Sequence, residues 1–206
     1  ETASAFILGS GEVLGRAGAE PVIFQAEGAV PAATLEMRAS GTLGSWRAEV
    51  AAPYDGNPLL ILAVSLAFSG PLLEPLDLEG GGIHLRGASS SGKTTALRAA
   101  VSVWGAPGFL QSWRATANGL EGIAAACNGT LLALDEIGEI AGREAGIAAY
   151  MLANGAGKVR SDRTGRPRPP ARWRVPILSS GEIAIADRMA EAGKRRGVLV
   201  CGDRLR

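Results

Sequence analysis

One nine-residue stretch constrains this chain more than any other. A short apolar run, Gly81-Gly-Ile-His-Leu-Arg86, leads into Gly87, Ala88, Ser89, Ser90, Ser91, Gly92, Lys93, Thr94 and Thr95, and a helix-forming run follows. Residues 87–94 match G-x-x-x-x-G-K-[ST] at every fixed position. The glycines let the backbone curl so that successive N–H groups point inward, and the helix N-terminus behind them adds partial positive charge. In such a P-loop Lys93 reaches the terminal phosphates and the Thr94 hydroxyl ligates Mg²⁺. The motif works only between a strand and a helix, so it already implies an α/β fold.

The rest of the chain agrees. "SAFILGSGEVLG" reads as a β-hairpin and "PVIFQAEG" as another strand. Leu43, Trp46 and Val50 fall at helical spacing behind a Thr42 cap. "NPLLILAVSLAFSGPLL" starts with an Asn cap and a proline at the first helical position, and is apolar nearly all round, which predicts a buried helix ended or broken by Pro71 and Pro75. Its longest apolar run is about half the ~20 residues a membrane span needs, and no membrane association is expected. "FLQSWRA", "TLLALDEIGE" and "VPILSS" read as strands. "GLEGIAAAC", capped by Asn118 with Glu121 in a capping box, "REAGIAAYMLAN" and "EIAIADRMAEAG" read as helices. Strands with nearly continuous apolar cores, alternating with helices, predict a parallel sheet covered on both faces.

Leu131-Leu-Ala-Leu134 is followed by Asp135 and Glu136. A buried strand would deliver both acids to the sheet edge beside the P-loop, with Asp135 holding Mg²⁺ and Glu136 deprotonating an attacking water. That pair points to a hydrolysing ATPase rather than a kinase. Ser179 and Ser180 close a further buried strand, where a polar side chain can touch the γ-phosphate or the water; the sequence does not choose between them. Glu139 reads as a solvated charge and His84 as a packed, hydrogen-bonded residue.

Charge is unevenly distributed. Residues 1–86 carry 4 Lys/Arg against 10 Asp/Glu, while residues 87–206 carry 17 against 10. Lys158, Arg160, Arg163, Arg166, Arg168, Arg172 and Arg174 crowd into 17 residues around Gly165. Their spacing in twos places several on one face of a β-ribbon, a natural grip on a phosphate backbone. DNA is therefore the expected partner. The two cysteines, Cys127 and Cys201, form neither a disulfide framework nor a metal-ligand pattern, which fits a reducing, cytoplasmic setting.

"GNPLLILAVSLAFSGPLL", "GGIHLRGASSSGKTTALRAAVSVWG", "SWRATANGLEGIAAACNGTLLALDEIGE", "YMLANGAGKVR", "WRVPILSSGE" and "EAGKR" together resemble the domain of unknown function 927 family, P-loop ATPases of phage, plasmid and other mobile elements. The resemblance implies an AAA+-like core similar to minichromosome-maintenance helicases, with Gly87–Thr95 as Walker A, Asp135–Glu136 as Walker B, and Lys158–Arg174 as a hairpin facing the channel of a hexameric ring. It also implies an arginine supplied by the neighbouring subunit, for which Arg195 is the candidate and Arg143 and Arg188 are weaker ones. The tail "RGVLVCGDRLR" departs from the family pattern, so a second sensor and a lid are expected to lie outside this sequence.

The expected organisation is a small β-rich accessory region over residues 1–56 and a P-loop ATPase domain over 57–206. The expected function is an ATP-dependent, ring-forming DNA helicase using ATP and Mg²⁺. A non-motor ATP-dependent switch is the alternative, and a P-loop kinase a weaker third.

Overall fold

A computed structural model of the protein describes residues 5–8, 13–15, 32–161, 165 and 167–190. The expected strand over residues 21–28 lies outside them. At the N-terminus β1 (Ala5–Ile7) and β2 (Val13–Gly15) pair antiparallel, with Phe6 opposite Leu14. The Phe6 ring lies 6.2 Å from that of Trp104. Two short helices follow, α1 (Ala32–Leu35) and α2 (Leu43–Trp46). The Thr42 hydroxyl accepts the Ser45 N–H and caps α2, which continues through a π turn and a 3-10 turn to Tyr54.

Helix α3 (Pro58–Leu73) begins where its sequence signals place it, with the Asn57 side chain accepting the Leu60 N–H. Pro71 lies inside the helix rather than ending it. A proline leaves the carbonyl four residues earlier without its helical donor. Here the Trp104 indole N–H donates to the Ala67 carbonyl at 2.8 Å and satisfies it. The expectation that α3 is buried needs correction: Ala63, Ala67 and Gly70 are buried, whereas Ile61, Leu62, Phe68 and Leu72 stand about half exposed. The small residues form the seam. A Cβ on Gly70 would collide with the Thr130 carbonyl oxygen, so only glycine lets the helix approach that turn. Among the described residues no helix is long and apolar enough to cross a membrane.

The centre is a four-stranded, all-parallel sheet. β3 (Gly81–Arg86) runs into α4 (Lys93–Val101), β4 (Gln111–Ser112) into α5 (Ala117–Ala126), and β5 (Leu132–Asp135) into α6 (Gly142–Ala153). A two-stranded ribbon, β6 (Arg160–Ser161) and β7 (Pro167–Arg168), intervenes before β8 (Pro176–Gly181) and α7 (Ile185–Ala190). The order across the sheet is β3-β8-β5-β4, so the last core strand is inserted between the first and the third. β8 is buried along its whole length, as a central strand covered on both faces must be. Helices α3 and α4 pack together on one face, and α6 packs with α5 and α7. The core runs from Leu97 and Val101 of α4 through Leu132, Leu134 and Leu178 to Leu152 of α6, and Met37 from the first part of the chain is buried in it.

The cap of α5 also differs from expectation. Thr116, not Asn118, accepts the Gly119 N–H, and Glu121 takes no part in a capping box. Cys127 ends this helix, 1% exposed, and burial pushes its thiol pKa up to about 12. It is a small core residue.

Candidate functional site

The loop between β3 and α4 turns on two left-handed residues, Ser90 (φ 61°) and Gly92 (φ 88°). Glycine adopts that conformation freely, while a serine pays roughly 1–2 kcal/mol for it. Strain of this kind concentrates where backbone groups are aimed at a ligand. Lys93 opens α4 and is folded into the loop, where its ammonium donates to the Gly87 carbonyl (2.8 Å) and the Ala88 carbonyl (2.7 Å). Ala88, Ser89, Ser91 and Thr95 line the loop and are exposed. The Gly87 N–H donates to the Gly181 carbonyl at 3.2 Å, tying the loop to the end of β8.

The acids arrive from β5. Asp135 ends that strand, and its carboxylate accepts the Thr94 hydroxyl at 3.1 Å across to α4 and the Ser180 hydroxyl across to β8. Ser180 in turn accepts the Glu136 N–H at 3.2 Å. Thr94, Asp135 and Ser180 thus converge as a set of hard oxygen donors, the chemistry a Mg²⁺ ion prefers. Glu136 is also left-handed (φ 54°), and its carboxylate accepts the Gly138 N–H at 3.0 Å. The loop it starts is held from the other side: the Arg188 guanidinium donates to the Gly138 carbonyl (3.1 Å) and the Ile140 carbonyl (2.7 Å). Arg188 is therefore committed within its own chain. Glu139, exposed, accepts the Ser112 hydroxyl.

Strand alternation separates the two serines of β8. Ser179 turns to the opposite face, 2% exposed. It accepts the Trp113 indole N–H at 2.8 Å and lies 2.9 Å from Nδ1 of His84, the residue paired with it on β3. His84 Nε2 lies 2.9 Å from the Ile183 carbonyl, which can only accept, so Nε2 carries the proton and Nδ1 takes the Ser179 hydroxyl. The result is a directional chain, Trp113 to Ser179 to His84 to Ile183. Burial lowers the His84 pKa, with the Ile183 carbonyl and Glu136 opposing and Arg86 and Lys93 assisting. The sequence reading of His84 as packed and hydrogen-bonded agrees with this, but its partners, the part played by Trp113 and the in-chain bonds of Arg188 were missed. The His84–Ser179 pairing exists only once β8 is inserted beside β3.

The basic segment forms a ribbon, with Arg160 opposite Arg168 and Ser161 opposite Pro167, and an antiparallel bridge joins Ala156 to Arg172 at its base. Gly165 (φ 82°) lies between the strands. Lys158 and Arg172 are exposed. Arg160 is instead bound to α5, and Arg174 pairs with Asp77 at 2.9 Å. Arg163, Arg166 and Arg195 lie outside the described residues, and for Arg168 only the backbone is described.

No curated protein matches the chain. Among solved structures it is similar to one described as "SCCmec type IV Cch - active helicase", at 25% identity and a TM-score of 0.69. The similarity covers 91% of this chain but only 36% of the helicase chain, so the sequence spans about a third of that protein's length. By sequence, residues 1–172 match one family model, and the chain belongs to the family described as Domain of unknown function (DUF927).

Proposed function

We propose that this chain is an ATP-binding and hydrolysing motor domain with an AAA+-like P-loop core, part of a ring-forming DNA helicase of a mobile element. The observation that carries the reading is the convergence of Lys93, Thr94, Asp135 and Ser180 at one sheet edge, drawn from α4, β5 and β8. The likeness to the SCCmec helicase supports the same class.

In this reading the N–H groups of Ala88–Gly92 cradle the phosphates, and Lys93 leaves its carbonyl partners to neutralise them. Thr94 and Asp135 would hold Mg²⁺, which when bound supplies charge to the phosphate oxygens. Glu136 takes the proton of the attacking water as the water oxygen bonds to the γ-phosphorus and ADP leaves. Ser180, touching both Asp135 and the Glu136 N–H, would sense that change and pass it along β8. The exposed basic residues Lys158 and Arg172, with Arg163, Arg166 and Arg168, would then grip the phosphate backbone of DNA. A neighbouring copy would complete the site with an arginine, Arg195 or the exposed Arg143. Residues 1–56 would form an accessory region packed on the motor of residues 57–206, as the burial of Met37 in the core supports.

One observation favours a non-motor switch: the Glu136 carboxylate is engaged by its own loop, through the Gly138 N–H. ATP turnover of the full-length protein with and without single-stranded DNA separates the readings. Stimulation by DNA is expected of the motor, and ATP binding without stimulation would overturn it.

A further inference from the structure

Arg160 belongs to the basic ribbon by sequence, yet the fold uses it differently. Its guanidinium donates to the Glu121 carboxylate at 2.8 Å and to the Asn118 side-chain oxygen at 3.2 Å. The Glu121 side chain is 8% exposed and lies on α5, the helix that leads into the acid strand β5. The Arg160 side chain is about half exposed, so the pair sits at the rim of the core, yet removing Arg160 leaves the buried carboxylate without its cation. The backbone is shaped around the same group. A Cβ on Gly157, three residues before Arg160, would overlap the Glu121 carboxylate, so glycine there makes room for the acid. The Gly157 N–H donates to the Ala171 carbonyl at 2.8 Å, which places this contact where the two arms of the ribbon meet.

From this geometry we infer that Glu121 and Arg160, with Asn118, anchor the base of the basic ribbon to α5, and that Arg160 positions the ribbon rather than contacting DNA phosphate. Lys158 and Arg172, exposed on either arm, remain available to a polyanion. The inference deepens the helicase reading and rests on it only for the identity of the ligand; the anchor itself is a property of the free protein.

Two measurements test it. The first is hydrogen exchange of the amides of residues 157–161 without DNA. Glu121→Gln and Arg160→Gln should each speed exchange there by at least about tenfold, while Arg160→Lys, which keeps a cation for Glu121, should hold it near wild type. Unchanged exchange in both glutamine variants overturns the anchor, as does equal loss in Arg160→Lys and Arg160→Gln. The second is single-stranded DNA affinity of Glu121→Gln. If Glu121 merely competes with phosphate for Arg160, removing its charge should tighten binding and steepen the salt dependence. If it anchors the ribbon, binding should weaken several-fold. Tighter binding overturns the inference. A wild-type protein that binds no DNA would defeat the helicase reading, yet the exchange result would still decide the anchor.

Discussion

Ser179 and Ser180 are neighbours on one strand, buried to the same degree, and serve opposite surroundings. Ser180 faces charge: the Asp135 carboxylate, Thr94 beside it and the Glu136 N–H. Ser179 faces a buried, neutral chain of hydrogen bonds from Trp113 through His84 to Ile183. One residue of shift exchanges the two faces, because side chains alternate along a strand. The difference teaches where β8 is adaptable. On the Ser180 side the oxygens would exchange partners if phosphate and a cation bind as proposed. On the Ser179 side every donor already has its acceptor, and any change leaves a buried group unpaired.

The comparison breaks first at Glu136. Glu136→Gln should lower ATP turnover by about 10²–10⁴-fold while nucleotide stays bound, as loss of a general base does; turnover close to wild type would move the base elsewhere. Lys93→Ala comes next. Losing several charge-assisted bonds of about 1.5–3 kcal/mol should weaken nucleotide binding by at least about 100-fold, and unchanged affinity in a fluorescent-nucleotide titration would remove the phosphate site from this loop.

The two serines then separate by readout. Ser179→Ala strands the Trp113 N–H and His84 Nδ1, which should cost about 1–3 kcal/mol in denaturant unfolding. Ser180→Ala should lower turnover with a smaller stability loss, since its partners reach solvent or each other. Equal stability losses with equal turnover would erase the distinction between the faces.

The smallest effect is on pH dependence. His84 has its folded pKa lowered, mainly by burial, so the unfolded chain takes up the proton first. The neutral His84 contribution is complete above the unfolded value of about 6.5 and is lost as pH falls below it toward the lowered folded value. Melting temperature should therefore drop on acidification through that window, and less steeply in His84→Asn. Parallel curves would show that the neutral chain is not what acid disrupts.

Much of this protein is legible in residues that lie next to one another. The glycines and lysine of 87–94, the Asn57-Pro58 and Thr42 helix starts, and the apolar runs ending in Asp135 and Ser180 each announce their local conformation, because capping, φ freedom and helix dipoles act over a few residues. Tertiary structure alone decided the rest. The exposure of α3 followed from small residues forming its seam, and Pro71 was tolerated because Trp104, 33 positions on, supplied the missing donor. Which serine meets Asp135, why Trp113 and His84 share a hydroxyl, and why Arg160 turns to Glu121 all depend on β8 lying between β3 and β5 and on α5 lying under the ribbon. Strand order and the partner of a buried charge are set by packing between distant segments, and a local pattern carries no record of which distant segment will arrive.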